Sequence, residues 1–200
     1  MNCNMIISKD IVNSCTDVHA KGYHSVGKIM NYDDIDWADV AYKSGSTNII
    51  EDLSLKTSKT AFDVVQLGNT PFTGTTSEMV AGVYMNTFTH KVSLVVLNNT
   101  PATANEIIEG LANGKFVVVL HSNDEGGWEQ GTSTRTHDRE GAFKIYGIHN
   151  GLRMTAGTND AYSDAFNGWT IELTEEGSPN AATYFYDTDY ETTLAWFEAL

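Results

Sequence analysis

The chain has 200 residues, 41% of them hydrophobic, enough to bury one core and too few to divide between two ordinary domains, so a single domain over residues 1–200 is expected. Acidic residues outnumber basic ones by 26 to 12 and the net charge is -14, which argues against a nucleic-acid ligand because phosphate affinity is drawn from Lys and Arg.

The amino-terminal stretch MNCNMIISKDIVNSC has no basic segment and only the short apolar run Met5-Ile6-Ile7, so neither a secretory signal nor a membrane anchor is expected there, and synthesis in the cytoplasm follows. Cys3 and Cys15, the two cysteines, are expected as thiols in that reducing compartment. Ser8 is placed to cap a brief turn over Lys9 to Asn13.

From there the pattern is mostly β. Alternation or β-rich composition predicts strands over Gly22 to Met30, Asn48 to Lys56, Thr60 to Leu67, Thr87 to Leu97, Phe116 to His121, Ala142 to Thr155, Gly168 to Thr174 and Ala182 to Tyr186. Thr170-Ile171-Glu172-Leu173-Thr174 alternates, which makes one face wet and one buried. Phe116-Val117-Val118-Val119-Leu120 is apolar throughout and suits a strand covered on both faces. Between two of these strands, Thr103 to Glu106 has the capping-box form, Ile107, Ile108 and Leu111 fall on one face, and Asn113-Gly114 can end the turn, so one short helix is predicted over Thr103 to Asn113. A second capping box, Thr188 to Glu191, predicts a terminal helix with Tyr190, Leu194 and Phe197 on one stripe. The three prolines are dispersed and mark no boundary. Many strands without regular β-α alternation predict a mainly β (α+β) chain: an antiparallel β-sandwich or barrel with a flanking helix and a short C-terminal helix.

Chemistry-bearing patterns are sparse. Of six histidines, His19 and His24 are five apart and fall on opposite faces of a strand, while His90, His121, His137 and His149 are scattered without close sequence partners, so no metal site is expected. The acidic run Asp33-Asp34-Ile35-Asp36-Trp37-Ala38-Asp39 lacks the spacing of a calcium loop and reads as a solvated turn or helix start. There is no Gly-x-Ser-x-Gly elbow and no phosphate-binding loop, so no catalytic residue and no cofactor are expected and the chain does not read as an enzyme. His137, Asp138 and Arg139 in the polar segment Ser122 to Glu140 form a possible active-site set, but adjacent polar residues are the ordinary content of a solvated loop. Trp128 and Trp169 sit beside glycines, as sugar-stacking platforms do, although Trp169 opens an alternating strand and suits core or rim.

The run Ala142-Phe-Lys-Ile-Tyr-Gly-Ile-His149, the Gly151-Leu152 step, an acidic loop, then Gly168-Trp-Thr-Ile-Glu-Leu-Thr174 and a Gly-Ser-Pro end, resembles the late strand pair of phage tail tube proteins. In that family a long strand crosses the tube wall, a polar loop follows and a returning strand closes the sheet. The wider run from VSLVVLNNTPATANEIIEGLANGKFVVVL to the terminal helix resembles uncharacterised virion proteins of phages of gut bacteria. The resemblance implies a virion protein, a tail tube subunit that assembles with itself as hexameric rings stacked into a tube, meets other virion proteins, lets DNA pass without specific binding, and needs no membrane. A head-decoration protein, or another virion surface module that binds carbohydrate or a host surface, is the alternative.

Contacts between subunits are expected in the segments Gly68 to Val83, Ser122 to Glu140 and Gly157 to Asn167, which lack periodicity, with Phe72, Trp128 and Phe166 as aromatic anchors at the subunit interface. In a tube the acidic surplus is expected on the lumen face, where carboxylates repel passing DNA.

Overall fold

The computed structural model describes residues 7, 10–11, 19–127, 138–160, 162 and 167–200. The turn expected after Ser8, both cysteines, Trp128, His137 and Phe166 lie outside the described residues.

Two β-sheets face one another, and neither closes into a barrel. The larger sheet takes β1 (Tyr23–Asn31), β2 (Ala41–Tyr42), β3 (Ile49–Asp52), β4 (Phe62–Val65), β7 (Phe116–Ser122), β8 (Phe143–Tyr146) and β11 (Thr183–Phe185), in the order β2-β3-β11-β8-β7-β1-β4. The smaller takes β5 (Thr76–Val80), β6 (Thr87–Val96), β9 (Arg153–Asn159) and β10 (Trp169–Ser178), in the order β5-β6-β10-β9. Pairing is antiparallel except between β11 and β3, where Tyr184 lies opposite Ile49. The acidic run after β1 forms a single 3-10 turn, Tyr32–Asp34, as a solvated turn should.

The apolar strand β7 is the centre of the molecule because its two faces serve two cores. Phe116, Val118 and Leu120 join Val92, Leu94, Ile171 and Leu173 between the sheets. Val117 and Val119 join Phe143, Ile145, Phe185 and Phe197 on the far side, under the C-terminal helix α3 (Tyr190–Ala199). The layers are therefore small sheet, large sheet, helix. Trp196 of α3 is fixed to the large sheet's side by its indole Nε1, which donates to the Leu53 carbonyl at 2.9 Å.

Three local expectations are corrected. The predicted strand Ala142 to Thr155 is two strands in different sheets: the backbone turns at Gly147 (φ 88) and Gly151 (φ 73), carrying the chain from β8 in one sheet to β9 in the other. The middle helix begins earlier than predicted. Thr100, not Thr103, caps it by accepting from the Thr103 N–H at 3.2 Å, with Pro101 in the first turn where its missing N–H costs nothing. That helix runs as α1 (Pro101–Thr103), a π-helical stretch (Ala104–Ile108) and α2 (Glu109–Asn113). At the carboxyl end Asp189, not Thr188, is the cap, accepting from the Thr192 N–H at 2.7 Å. Tyr190 and Phe197 of the expected stripe are buried, and Leu194 packs against the same core.

Candidate functional site

Strand β6 alternates cleanly, with His90, Val92 and Leu94 buried against the core and Thr89, Lys91, Ser93 and Val95 half-exposed on the outer face. Its partners follow the same parity. Thr76 and Thr174 lie opposite Lys91, Glu172 opposite Ser93, and Thr158 opposite Thr170. The outer face of the small sheet is thus a field of hydroxyls with few charges: Lys91 pairs with Glu172 at 3.4 Å, Glu78 lies opposite Thr89 and Arg153 opposite Thr174. With Glu176, exposed further along β10, the small sheet carries three negative and two positive side chains outside its core.

Among the described residues, the outer strands of this sheet pair with a strand on one side only, and α2 lies against β9. Every residue of β5 is exposed, and so is every residue of β9 except Met154. Open edges present unpaired backbone donors and acceptors, which proteins ordinarily protect with charge, proline or a covering element. Here β5 carries one charge, Glu78, and β9 carries one, Arg153. Because all pairs in this sheet are antiparallel, β5 and β9 run in opposite directions, so a β5 edge set beside the β9 edge of a like-oriented copy would form a further antiparallel pair.

Beside β5 the surface is apolar. Its hairpin to β6 exposes Val83 (95%) and Tyr84 (100%). An open cleft of about 860 Å³ runs between β4, β6 and the middle helix, lined by Val64, Leu67, Phe72, Leu94, Val96 and Ile107 among others. From Val64 to Asn105 the charged residues are Glu78 and Lys91 alone, in a chain of 38 charged residues overall, so this face avoids like-charge repulsion on contact.

The predicted anchors fare differently. Phe72 is 3% exposed and belongs to the chain's own core, edge-on to Tyr23 with centroids 6.4 Å apart, so its ring is not on offer to a neighbour. Trp128 and Phe166 are among the undescribed residues. The segment Gly68 to Val83, expected to lack periodicity, contains strand β5, and Gly157 to Asn167 begins inside β9. Trp169 packs on the core between the sheets, as an opening strand residue should.

The turn between β8 and β9, the YGIHNGL stretch, is held by Glu175, which is 1% exposed. Its Oε2 accepts from the Gly147 N–H at 3.0 Å, and its Oε1 accepts from His149 N–H at 3.0 Å and Asn150 N–H at 2.6 Å. Three hydrogen bonds satisfy the oxygens of a buried side chain that would otherwise cost several kcal/mol, roughly, to leave without partners. His149 sits in the same turn, its Nε2 accepting from Asn180 Nδ2 across 3.2 Å, and burial holds its pKa below the ordinary value, with Glu175 opposing and His90 adding to the depression.

A second polar cluster gathers at one end of the large sheet. A register shift in β1 between Tyr23 and Gly27 brings His24 over His121 of β7, ring on ring with centroids 3.9 Å apart and planes 3° apart. This corrects the expectation that His121 lacks a partner. Glu125 Oε1 lies 4.0 Å from His121 Nε2, and Tyr190 Oη lies 3.4 Å from both atoms. Arg139 Nε pairs with Glu125 Oε2 at 3.3 Å. Burial, then the neighbouring His24, pushes the His121 pKa down to about 4, so its ring is neutral at neutral pH. Asp138 serves the fold, its Oδ2 accepting from Tyr186 Oη at 2.9 Å and the Tyr190 N–H at 2.7 Å. Of the set weighed for catalysis, Asp138 and Arg139 therefore hold neighbouring elements together.

Compared with known proteins, the chain matches no family model, no curated protein and no solved structure.

The open edge β5 escaped the sequence reading because alternation there is a contrast between buried and wet faces, and an edge exposed on both faces has none; Thr76-Ser-Glu-Met-Val80 still carries β-favouring residues that could have flagged it. The histidine pair escaped because cross-strand register depends on a bulge that spacing along one strand does not encode.

Proposed function

We propose that this chain is a structural virion protein whose copies join edge to edge into closed rings that stack as a phage tail tube. One observation carries the reading: the small sheet has two open, sparsely charged edges that are complementary in direction, so copies add head to tail and the sheet continues from one to the next. Head-to-tail addition closes as a ring when the rotation per copy divides the circle, and the resemblance to tail tube proteins puts that number at six. The apolar hairpin tip at Val83 and Tyr84 supplies contact area beyond the edge, as an assembling subunit needs.

In this reading the wet face of the small sheet is turned to the lumen. One face packs on the core, and the other carries hydroxyls with Lys91 and Arg153 against Glu78, Glu172 and Glu176. The lumen would then carry a slight acidic excess, in the direction expected for a tube that repels passing DNA. Passing DNA meets hydroxyl groups and few cations, and slides because little counterion release rewards staying. The rest of the acidic surplus then lies on the outer wall and keeps the particle soluble.

The apolar cleft favours a second reading, a virion surface module that binds a ligand there. Negative-stain microscopy of the purified chain separates the two: rings or tubes support the first, and dispersed single copies the second.

A further inference from the structure

We propose that His24, His121 and Glu125 form a binding site for a first-row transition ion, with zinc the natural occupant, at the end of the large sheet. The reading is independent of assembly.

The donor set is two imidazoles and a carboxylate, which suits zinc and its neighbours rather than calcium or magnesium. All three offer a ligand atom within 4.8 Å of one another. Tetrahedral donors at bonds of about 2.0 Å stand roughly 3.3 Å apart, so the site needs a closure of about 1.5 Å at most. The two rings lie parallel, so their in-plane lone pairs run side by side rather than converging. His24 is the member that adjusts. It is exposed, and rotating its ring lets a nitrogen turn toward the region between His121 Nε2 and Glu125 Oε1. His121 is the fixed member, packed between His24 and the Phe143 ring at 4.5 Å.

The surroundings are those of a site with one open side. Tyr190 Oη, 3.4 Å from both His121 Nε2 and Glu125 Oε1, sits where it can orient both ligands or meet a bound water. Arg139 holds the second oxygen of Glu125 and supplies the positive charge that an incoming cation displaces or tolerates. A bound ion would join β1, β7 and the turn after β7, beside the first residue of α3, so that elements far apart in the chain become one cross-linked corner.

The test is zinc titration of the full chain prepared without a histidine tag and stripped with chelator, read by calorimetry and by thermal unfolding, with cobalt as a spectroscopic probe. The expected result is one equivalent of zinc, a raised Tm, and a visible cobalt band of low-symmetry coordination. His24→Ala, at an exposed position, should leave the chain folded with a slightly lower metal-free Tm from the lost ring stacking and weaken zinc by about tenfold or more, the scale of losing one ligand of three. Glu125→Gln keeps the side-chain volume and should do the same, which decides the matter if His24→Ala alters folding. Arg139→Gln should tighten zinc, a change in the opposite direction that damage to the fold does not produce. No uptake by the stripped chain overturns the proposal, and so does uptake that both His24→Ala and Glu125→Gln leave unchanged.

Discussion

Glu175 holds the joint between the two sheets. The turn it clips carries Gly147, where an added Cβ would stand 2.5 Å from the Phe116 carbonyl oxygen in a backbone conformation that side chains resist. Glu175→Gln leaves one carbonyl for three N–H groups and turns an amide donor toward the rest. The expected cost is about 2–3 kcal/mol for orphaned buried donors, read as a Tm lower by roughly 5–10 °C in a chain of this size. His149 gives a pH signature. Its native pKa lies below the ordinary histidine value, so above about pH 6.5 both native and unfolded chains are neutral and stability is full. As pH falls through the window beneath that value, the unfolded chain takes up a proton that the native turn resists, and stability drops. Thermal scans of His149→Gln should show a shallower fall than the parent on acidification; an equal slope would remove His149 from the account. Neither role was legible in the residues alone. Glu175 stands where the alternation of Ile171 and Leu173 calls for an apolar residue, and the donors that satisfy it come from a turn 25 to 28 positions earlier.

At the scale of elements, strength of pattern decided what could be read. Phe116 to Leu120 is apolar without a break, and the structure covers both faces as that composition requires. The helix at Tyr190–Ala199 and the long strands β6 and β10 were equally plain because one face of each is buried. Cap positions moved by one or three residues because Thr100 and Asp189 competed with neighbours of the same chemistry. The element that the sequence concealed, β5, is the one the proposed assembly depends on. Met79 is 59% exposed there, and a lysine in its place puts a charge on an edge without touching the core. Met79→Lys should leave the unfolding free energy within about 0.5 kcal/mol of the parent, the range of surface changes. It should also abolish or sharply weaken ring formation in sedimentation velocity, and rings of unchanged stability would show that β5 is not a joint.

For the whole molecule, the two sheets divide the labour. The large sheet has a core on each face and is closed off by α3, so it acts as the rigid body. The small sheet has one wet face and two exposed outer strands, so in the proposed assembly it is the part that meets other copies. Architecture of this kind, mainly β with a flanking helix and a C-terminal helix, followed from the periodicity of the chain; which sheet stays open did not, because that depends on strand order between residues far apart in sequence. The account stands on closure of the small sheet from copy to copy. Negative-stain electron microscopy of the purified full chain over a rising concentration series tests it most directly: the account predicts closed rings with a central bore, stacking into tubes as concentration increases, and single unassociated copies at every concentration would contradict it.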